Sequence, residues 1–515
     1  MTRLAPGPTF SAIQRTRVIA QHMNMSSKAD GVEATEPPVR FESNGYTRTY
    51  ILNRPKKLNS LNEEMLNLIR PKVEEWDKSD LCKVIIGRGE GRAFCAGGDV
   101  ANVVENASQP ETLPKAIDFF KTEFETDYVL AALQKPYVVI MDGITMGGGV
   151  GLTMNAPFRV ATEKTMFAMP ETKIGYCPDV GASYFLSRLD GELGAYLGMT
   201  AEVITGRTVF ELGLATHYVP SARIPALLNA ISALERGEWL SIDTTIEEHF
   251  AERDVSTERS NPLSGAVRVA LDKSFGWGNV ESILEELRSF AEKGLSLSSD
   301  PVAKEKEVQE VKTWAQNTLA ALEMRSPTAL TVALEAVRRG KKMSLADALS
   351  MEFGIATAFC SGASPDFQTG VRAVLIEKLD KNARPNWAPS TVPEVSQEDI
   401  ISRFFDNKSA FMESKPELNL PSPSADSIPT ALSNPNLFAL PAEHEIEALV
   451  RGSHRTSGDF GLTVEEIVKK LDRDLRPAAW KERGEKGKNG VTEKVLDVIR
   501  RRCTVDEGGQ WVKWK

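Results

Sequence analysis

Cysteine is scarce and scattered: Cys82, Cys95, Cys177, Cys360 and Cys503 are odd in number and form no C-x-x-C pair. That excludes a disulfide framework and a zinc ribbon, and it fits a reducing compartment. Histidine is equally sparse, and His22, His217, His249, His444 and His454 all fall outside the motifs described below. A thiol nucleophile would therefore lack its base, so Cys95 and Cys177, which do lie in motifs, are expected to be small buried apolar side chains. No apolar run approaches the ~20 residues of a membrane-spanning helix. An excess of positive charge is missing too: the formal net charge is −9 and the pI near 5.5, which argues against nucleic-acid binding by the whole surface while leaving local basic segments open to it. The 515 residues are too many for a single domain of ordinary size.

One segment lacks acids altogether. Before Asp30 the chain carries Arg3, Arg15, Arg17 and Lys28, with interspersed Ser and Thr and no Asp or Glu. This is the composition of a mitochondrial transit peptide, so import into the mitochondrial matrix is expected.

What is present is concentrated in two glycine turns. The β-branched run Lys135–Met141 leads toward Gly147-Gly148-Gly149, after which Val150–Met154 can start a helix. Upstream, Lys83–Ile86 leads through GRGEGR toward Phe94-Cys95-Ala96-Gly97-Gly98-Asp99. Glycines at such junctions bring bare N–H groups close to a ligand, and two turns converging on one developing negative charge would form an oxyanion hole. The alternative for each turn is a role in the fold alone. Downstream, Glu171 is an isolated acid in a largely apolar stretch.

The segments LNRPKKLNSLN (52–62), FCAGGD (94–99), GITMGGGVGL (143–152) and FAMPETKIGYCPDVGASYFLSRL (167–189) occur in the order of the crotonase, or enoyl-CoA hydratase/isomerase, superfamily motifs. The chain resembles that superfamily from about residue 40 to about 405, and within it most resembles the 3-hydroxyisobutyryl-CoA hydrolases. The resemblance implies an α/β crotonase fold of repeated ββα units with a helical C-terminal region. It also implies that the N–H groups of Gly98 and Gly148 hold the thioester oxygen, with Glu171 as the catalytic carboxylate. Hydratases carry a further catalytic glutamate just after the glycine triplet, where this chain has Gly151. That departure favours hydrolysis over hydration, because a single carboxylate can attack or activate water beside a polarised thioester.

Asp179 matches the residue that in the hydrolases reaches the substrate's 3-hydroxyl; its other reading is a helix N-cap. Glu123 matches a further substrate-site residue, its other reading being a solvated helix face. Lys56 and Lys57 match a loop that helps hold the adenine end of coenzyme A. Coenzyme A enters as part of the substrate; no separate cofactor and no metal are expected.

The chain reads as leader and tail (1–38), crotonase-fold core (39–225), a helical region completing the hydrolase (226–405), a Pro/Ser/Asn-rich linker (406–440) and a basic helical extension (441–515). The resemblance to hydrolases ends near 405, so a chain ending at about 408 is expected to fold and keep its site. In the extension, Trp480, Lys481, Arg483, Lys486, Lys488, Arg500, Arg501, Arg502, Trp511 and Trp514 mix basic and aromatic side chains, an RNA- or protein-facing composition. Fungal relatives of these hydrolases are components of the mitochondrial small ribosomal subunit, so membership of that particle is the competing expectation. A hydratase or isomerase is the second alternative.

Overall fold

The computed structural model describes residues 36–515 except 257, 381, 422–431, 433, 454–460, 474–486 and 507–510. The acid-free leader, together with Trp480, Lys481, Arg483 and Lys486 of the tail, lies outside the described residues. In chain order the strands are β1 (Val39–Asn44), β2 (Thr47–Leu52), β3 (Val84–Gly89), β4 (Ala93–Cys95), β5 (Tyr137–Met141), β6 (Ile144–Met146), β7 (Phe158–Ala161), β8 (Met166–Ala168), β9 (Ile204–Thr205), β10 (His217–Tyr218), β11 (Cys503–Val505) and β12 (Val512–Trp514). A six-stranded sheet has the order β1-β2-β3-β5-β7-β10, antiparallel only between β1 and β2. Its parallel strands β5, β7 and β10 are buried on both faces, as is most of β3, and alternate residues divide the work. Val84, Ile86, Val138, Ile140, Phe158 and Val160 pack under the helices Ile224–Ser232 and Trp239–Glu248. Ile85, Tyr137, Val139 and Met141 point into the larger core on the other side.

A second sheet, β4-β6-β8-β9, is parallel through its first three strands. It corrects the sequence reading of what feeds the glycine turns: β4 and β6 do so directly, not the runs at 83–86 and 135–141. Two glycines let the chain step from one sheet to the other. A Cβ at Gly89 would lie 2.2 Å from the Ala93 carbonyl oxygen, and one at Gly143, where φ is +115°, would lie 2.3 Å from that of Arg92.

The helices follow the apolar periodicity. Leu113–Ala131 and Gly148–Met154 lie in the core, Val280–Lys293 and Pro327–Gly340 in the helical region, and Glu443–Val450, Val464–Arg473 and Val491–Arg502 in the extension. Pro38–Lys515 is one compact unit, and of the other, Met1–Pro37, only the last two residues are described. The sequence boundaries near 225 and 405 fall inside the larger unit. No helix among the described residues is long and apolar enough to cross a membrane.

The extension is built into that unit by buried charge and ring contacts. Arg159, fully buried on β7, bonds to the Pro435 carbonyl at 2.9 Å and to Asn436 Oδ1 at 2.7 Å. The Phe438 ring stacks on Phe158 with centroids 4.6 Å apart. Lys488 reaches Glu247 Oε1 at 2.6 Å, and Lys494 pairs with Asp190.

Candidate functional site

Three adjacent parallel strands place the site. β4, β6 and β8 end on the same edge of the small sheet, and the residues that follow are Gly97-Gly98, Gly147-Gly148 and Glu171. Gly148 opens a helix, so its N–H has no intrahelical acceptor. In the bridge between Leu61 and Gly98, the Leu61 backbone bonds to Gly97 and Asp99, which leaves the Gly98 N–H outside the bridge. A Cβ on Gly148 would lie 3.3 Å from the Gly98 nitrogen, so the two turns converge as expected.

Carboxyl groups crowd around this point. That same Cβ would lie 2.1 Å from Glu123 Oε1, and a Cβ on Gly147 would lie 3.0 Å from Glu171 Oε1. Gly147 is held at φ +50°, and at Gly148 a side chain would displace the Glu123 carboxyl from its present position. Glu123 is only 2% exposed, its Oε1 has no hydrogen-bond partner, and the solvated-face reading is excluded. Glu171 is buried in a short 3-10 turn, and its Oε2 is equally unpartnered. Burial, followed by the charge of Asp179, pushes the Glu171 carboxyl well above the usual range; burial and Asp179 do the same to Glu123.

Asp179 is buried and accepts a 3.0 Å hydrogen bond from the Tyr176 hydroxyl. It makes no side-chain cap to the helix Ala182–Leu186. That helix is capped from a distance by Glu352, which accepts from the Gly181 N–H at 2.6 Å and from the Ser183 N–H at 2.7 Å. Between them, Val180 and Gly181 sit at positive φ, +55° and +86°. A β-branched residue in that conformation is strained, and the strained turn lies between Asp179 and the N–H groups that Glu352 accepts from. Burial and Glu352 raise Asp179 to about 8, against the lowering effect of Tyr176. Burial raises Glu352 to about 7, against the lowering effect of its Ser183 and Gly181 donors.

Sequence reasoning missed Asp127. It lies one helical turn after Glu123, is 1% exposed, and has neither carboxyl oxygen hydrogen-bonded. A Cβ at Gly151 would lie 2.5 Å from Asp127 Oδ2 and 2.6 Å from Val180 Cβ. Gly151 is therefore glycine because another element fills its side-chain space, and the single-carboxylate picture gives way to a cluster of buried acids. The available signal was the i, i+4 spacing of Glu123 and Asp127, which puts both on one helix face. Tyr176 and Glu352 were missed for want of any local signal: Glu352 reaches its donors from a distant helix, and the bond between Tyr176 and Asp179 depends on how their shared loop folds back.

Lys56 and Lys57 are exposed on a single 3-10 turn. Cys95 and Cys177 are buried; burial pushes Cys95 up to about 12 and Cys177 well above its ordinary range, so both are inert apolar fillers. Elsewhere, His217, Asp243 and Glu247 come close enough to hold a metal ion, but the Lys488 ammonium already pairs with Glu247 there. A cleft of about 1420 Å³ lined by Arg207, Glu258, Asn261 and Trp314 touches none of the site residues.

A family model described as enoyl-CoA hydratase/isomerase matches residues 47–405. The chain belongs to that family. A carnitinyl-CoA dehydratase from Mycobacterium thermoresistibile, 33% identical, superimposes with a TM-score of 0.60 over 72% of this chain and 96% of its own. Within the family, the human mitochondrial 3-hydroxyisobutyryl-CoA hydrolase is 36% identical over 77% of this chain and 94% of its own length. The small ribosomal subunit protein mS47 of Neurospora crassa is also 36% identical, over 99% of this chain and 95% of its own length. The family model stops at 405, whereas the likeness to mS47 runs on through the extension.

Proposed function

We propose that this protein hydrolyses a short 3-hydroxyacyl-CoA thioester, 3-hydroxyisobutyryl-CoA of valine breakdown, in the mitochondrial matrix. The observation that carries the reading is the convergence of the Gly98 and Gly148 turns beside Glu171 and Asp179. The thioester oxygen sits between the two N–H groups, which stabilise the charge that develops on it. Glu171 attacks the carbonyl carbon or activates water toward it, and the substrate's hydroxyl meets Asp179. Coenzyme A leaves as the thiol, and no further cofactor takes part.

Hydration is disfavoured because Asp127 and Val180 fill the space beside Gly151. Glu171 works only when ionised, and burial holds its carboxyl well above the usual carboxylate range, so turnover should climb with pH beyond that range rather than level off within it. Asp179→Ala should lower kcat/KM for 3-hydroxyisobutyryl-CoA far more than for isobutyryl-CoA, a loss of discrimination of about 1 to 3 kcal/mol. Equal losses on both substrates would remove Asp179 from hydroxyl recognition.

A second role is favoured by one specific observation, the match to mS47 along nearly the whole chain. We propose that the protein is also a component of the mitochondrial small ribosomal subunit. Sedimentation of mitochondrial lysate at high salt tests it: co-migration with the small subunit supports the role, and a light soluble peak alone contradicts it.

A further inference from the structure

Tyr176 follows the Glu171 turn, and its ring is clamped by three helices. Phe367 stacks on it with centroids 4.8 Å apart, Phe359 meets it edge-on at 5.1 Å, and Phe120 lies 5.8 Å away. The loop reaches this box because Gly175, at φ +71°, passes against the Asp366 backbone, where a Cβ would lie 2.2 Å from the carbonyl oxygen. With the ring fixed, the hydroxyl has one direction to point, and its hydrogen bond goes to Asp179 Oδ2 at 3.0 Å. Both residues are buried.

Asp179 is otherwise surrounded by acids. Glu352 faces it from the helix Leu345–Cys360, Glu123 and Asp127 from Leu113–Ala131, Glu171 from the 3-10 turn and Cys177 from its own loop. Among these groups Tyr176 supplies the stabilising donor. A carboxylate has about four acceptor positions, so one bond from a phenol holds it in place and leaves it able to accept from a substrate hydroxyl. Burial and Asp179 together keep the phenol protonated, hence a donor throughout the working range.

We propose that Tyr176 is the positioning residue for substrate selectivity, holding the Asp179 carboxyl group oriented toward the 3-hydroxyl of the acyl group. The proposal rests on the hydrolase reading above. Tyr176 does not touch the reacting carbonyl; it acts through Asp179. Removing its hydroxyl takes away the larger of the two donors that lower Asp179, the other being its own backbone N–H, so the carboxyl, already held at about 8 by burial and Glu352, rises further and is ionised less at neutral pH.

The test is kcat/KM against pH for 3-hydroxyisobutyryl-CoA and isobutyryl-CoA, in the full chain, for the wild type, Tyr176→Phe, Asp179→Ala and the double variant. Phenylalanine keeps the ring box, and a thermal midpoint checks that it does. In the wild type the ratio of the two rates should rise with pH around 8. In Tyr176→Phe it should fall roughly tenfold at pH 7.5, with its midpoint moved up by roughly one pH unit, and isobutyryl-CoA hydrolysis should change far less. Adding Tyr176→Phe to Asp179→Ala should cost no further selectivity. An unchanged ratio and midpoint in Tyr176→Phe, with the wild-type preference for the hydroxyacyl substrate intact, would overturn the role of Tyr176 and leave the hydrolase reading standing. A wild type with no preference between the substrates would overturn both. Additive losses in the double variant would show Tyr176 acting by a route other than Asp179.

Discussion

Replacing Glu171 with glutamine should lower hydrolysis of 3-hydroxyisobutyryl-CoA roughly 10³-fold or more, about 4 kcal/mol of barrier. The amide keeps the shape of the buried side chain but can neither attack a carbonyl nor take a proton from water. Stability should move the other way. The folded state holds a proton on Glu171 well above 4.5, whereas the unfolded chain releases it there, so the folded wild type is progressively penalised as pH rises through that window. Glutamine has no such penalty, and its advantage in Tm over the wild type should be larger at pH 8 than at pH 5. Near-normal turnover in the glutamine variant would remove Glu171 from the mechanism whatever its Tm.

A chain ending at residue 408 should fail to fold cooperatively and should lose hydrolysis with it. The sequence suggests the opposite, because the family match ends at 405 and every proposed site residue lies upstream. The reversal comes from buried charges whose partners lie beyond that point. Burial tends to raise Glu247, yet Lys488 and His217 hold it at about 2; Asp190 is held at about 2 in the same way by Lys494 and Arg268. Truncation removes Lys488 and Lys494 and leaves Glu247 with His217 and Asp190 with Arg268; breaking a buried pair costs up to about 3 to 5 kcal/mol, a large share of the whole stability of a domain, about 5 to 15 kcal/mol. Arg159, whose guanidinium burial alone draws down to about 9, would lose its bonds to Pro435 and Asn436 as well. Circular dichroism and thiol release on the truncated chain decide the matter. A soluble protein with an unchanged melting transition and full activity would show that the extension merely rests on an independent core.

What the sequence revealed and what it hid divide along a physical line. Elements defined by their own residues were legible: the region expected to be helical contains Val280–Lys293 and Pro327–Gly340, and the expected helical extension contains Glu443–Val450, Val464–Arg473 and Val491–Arg502. The two glycine turns and Glu171 were legible because their motifs are short and contiguous. Sheet membership was not, since β4 and β6 are three-residue strands whose pairing depends on glycine crossings at 89 and 143. Asp127 at Gly151, Glu352 at Gly181 and Tyr176 at Asp179 depend on where separate elements meet or how a tight loop folds back. The basic tail misled for a related reason. Lys488, Arg501 and Arg502 read as part of an exposed binding surface, yet they pair with acids of this same chain.

The most direct test of the central claim is a side-by-side assay of the purified full-length protein, following thiol release from 3-hydroxyisobutyryl-CoA and loss of the enoyl absorbance of crotonyl-CoA in water. The proposal predicts steady thiol release from the first and negligible hydration of the second, because it assigns thioester hydrolysis to Gly98, Gly148, Glu171 and Asp179, while Asp127 and Val180 occupy the space at Gly151. Efficient hydration of crotonyl-CoA without thiol release from the hydroxyacyl substrate would contradict it.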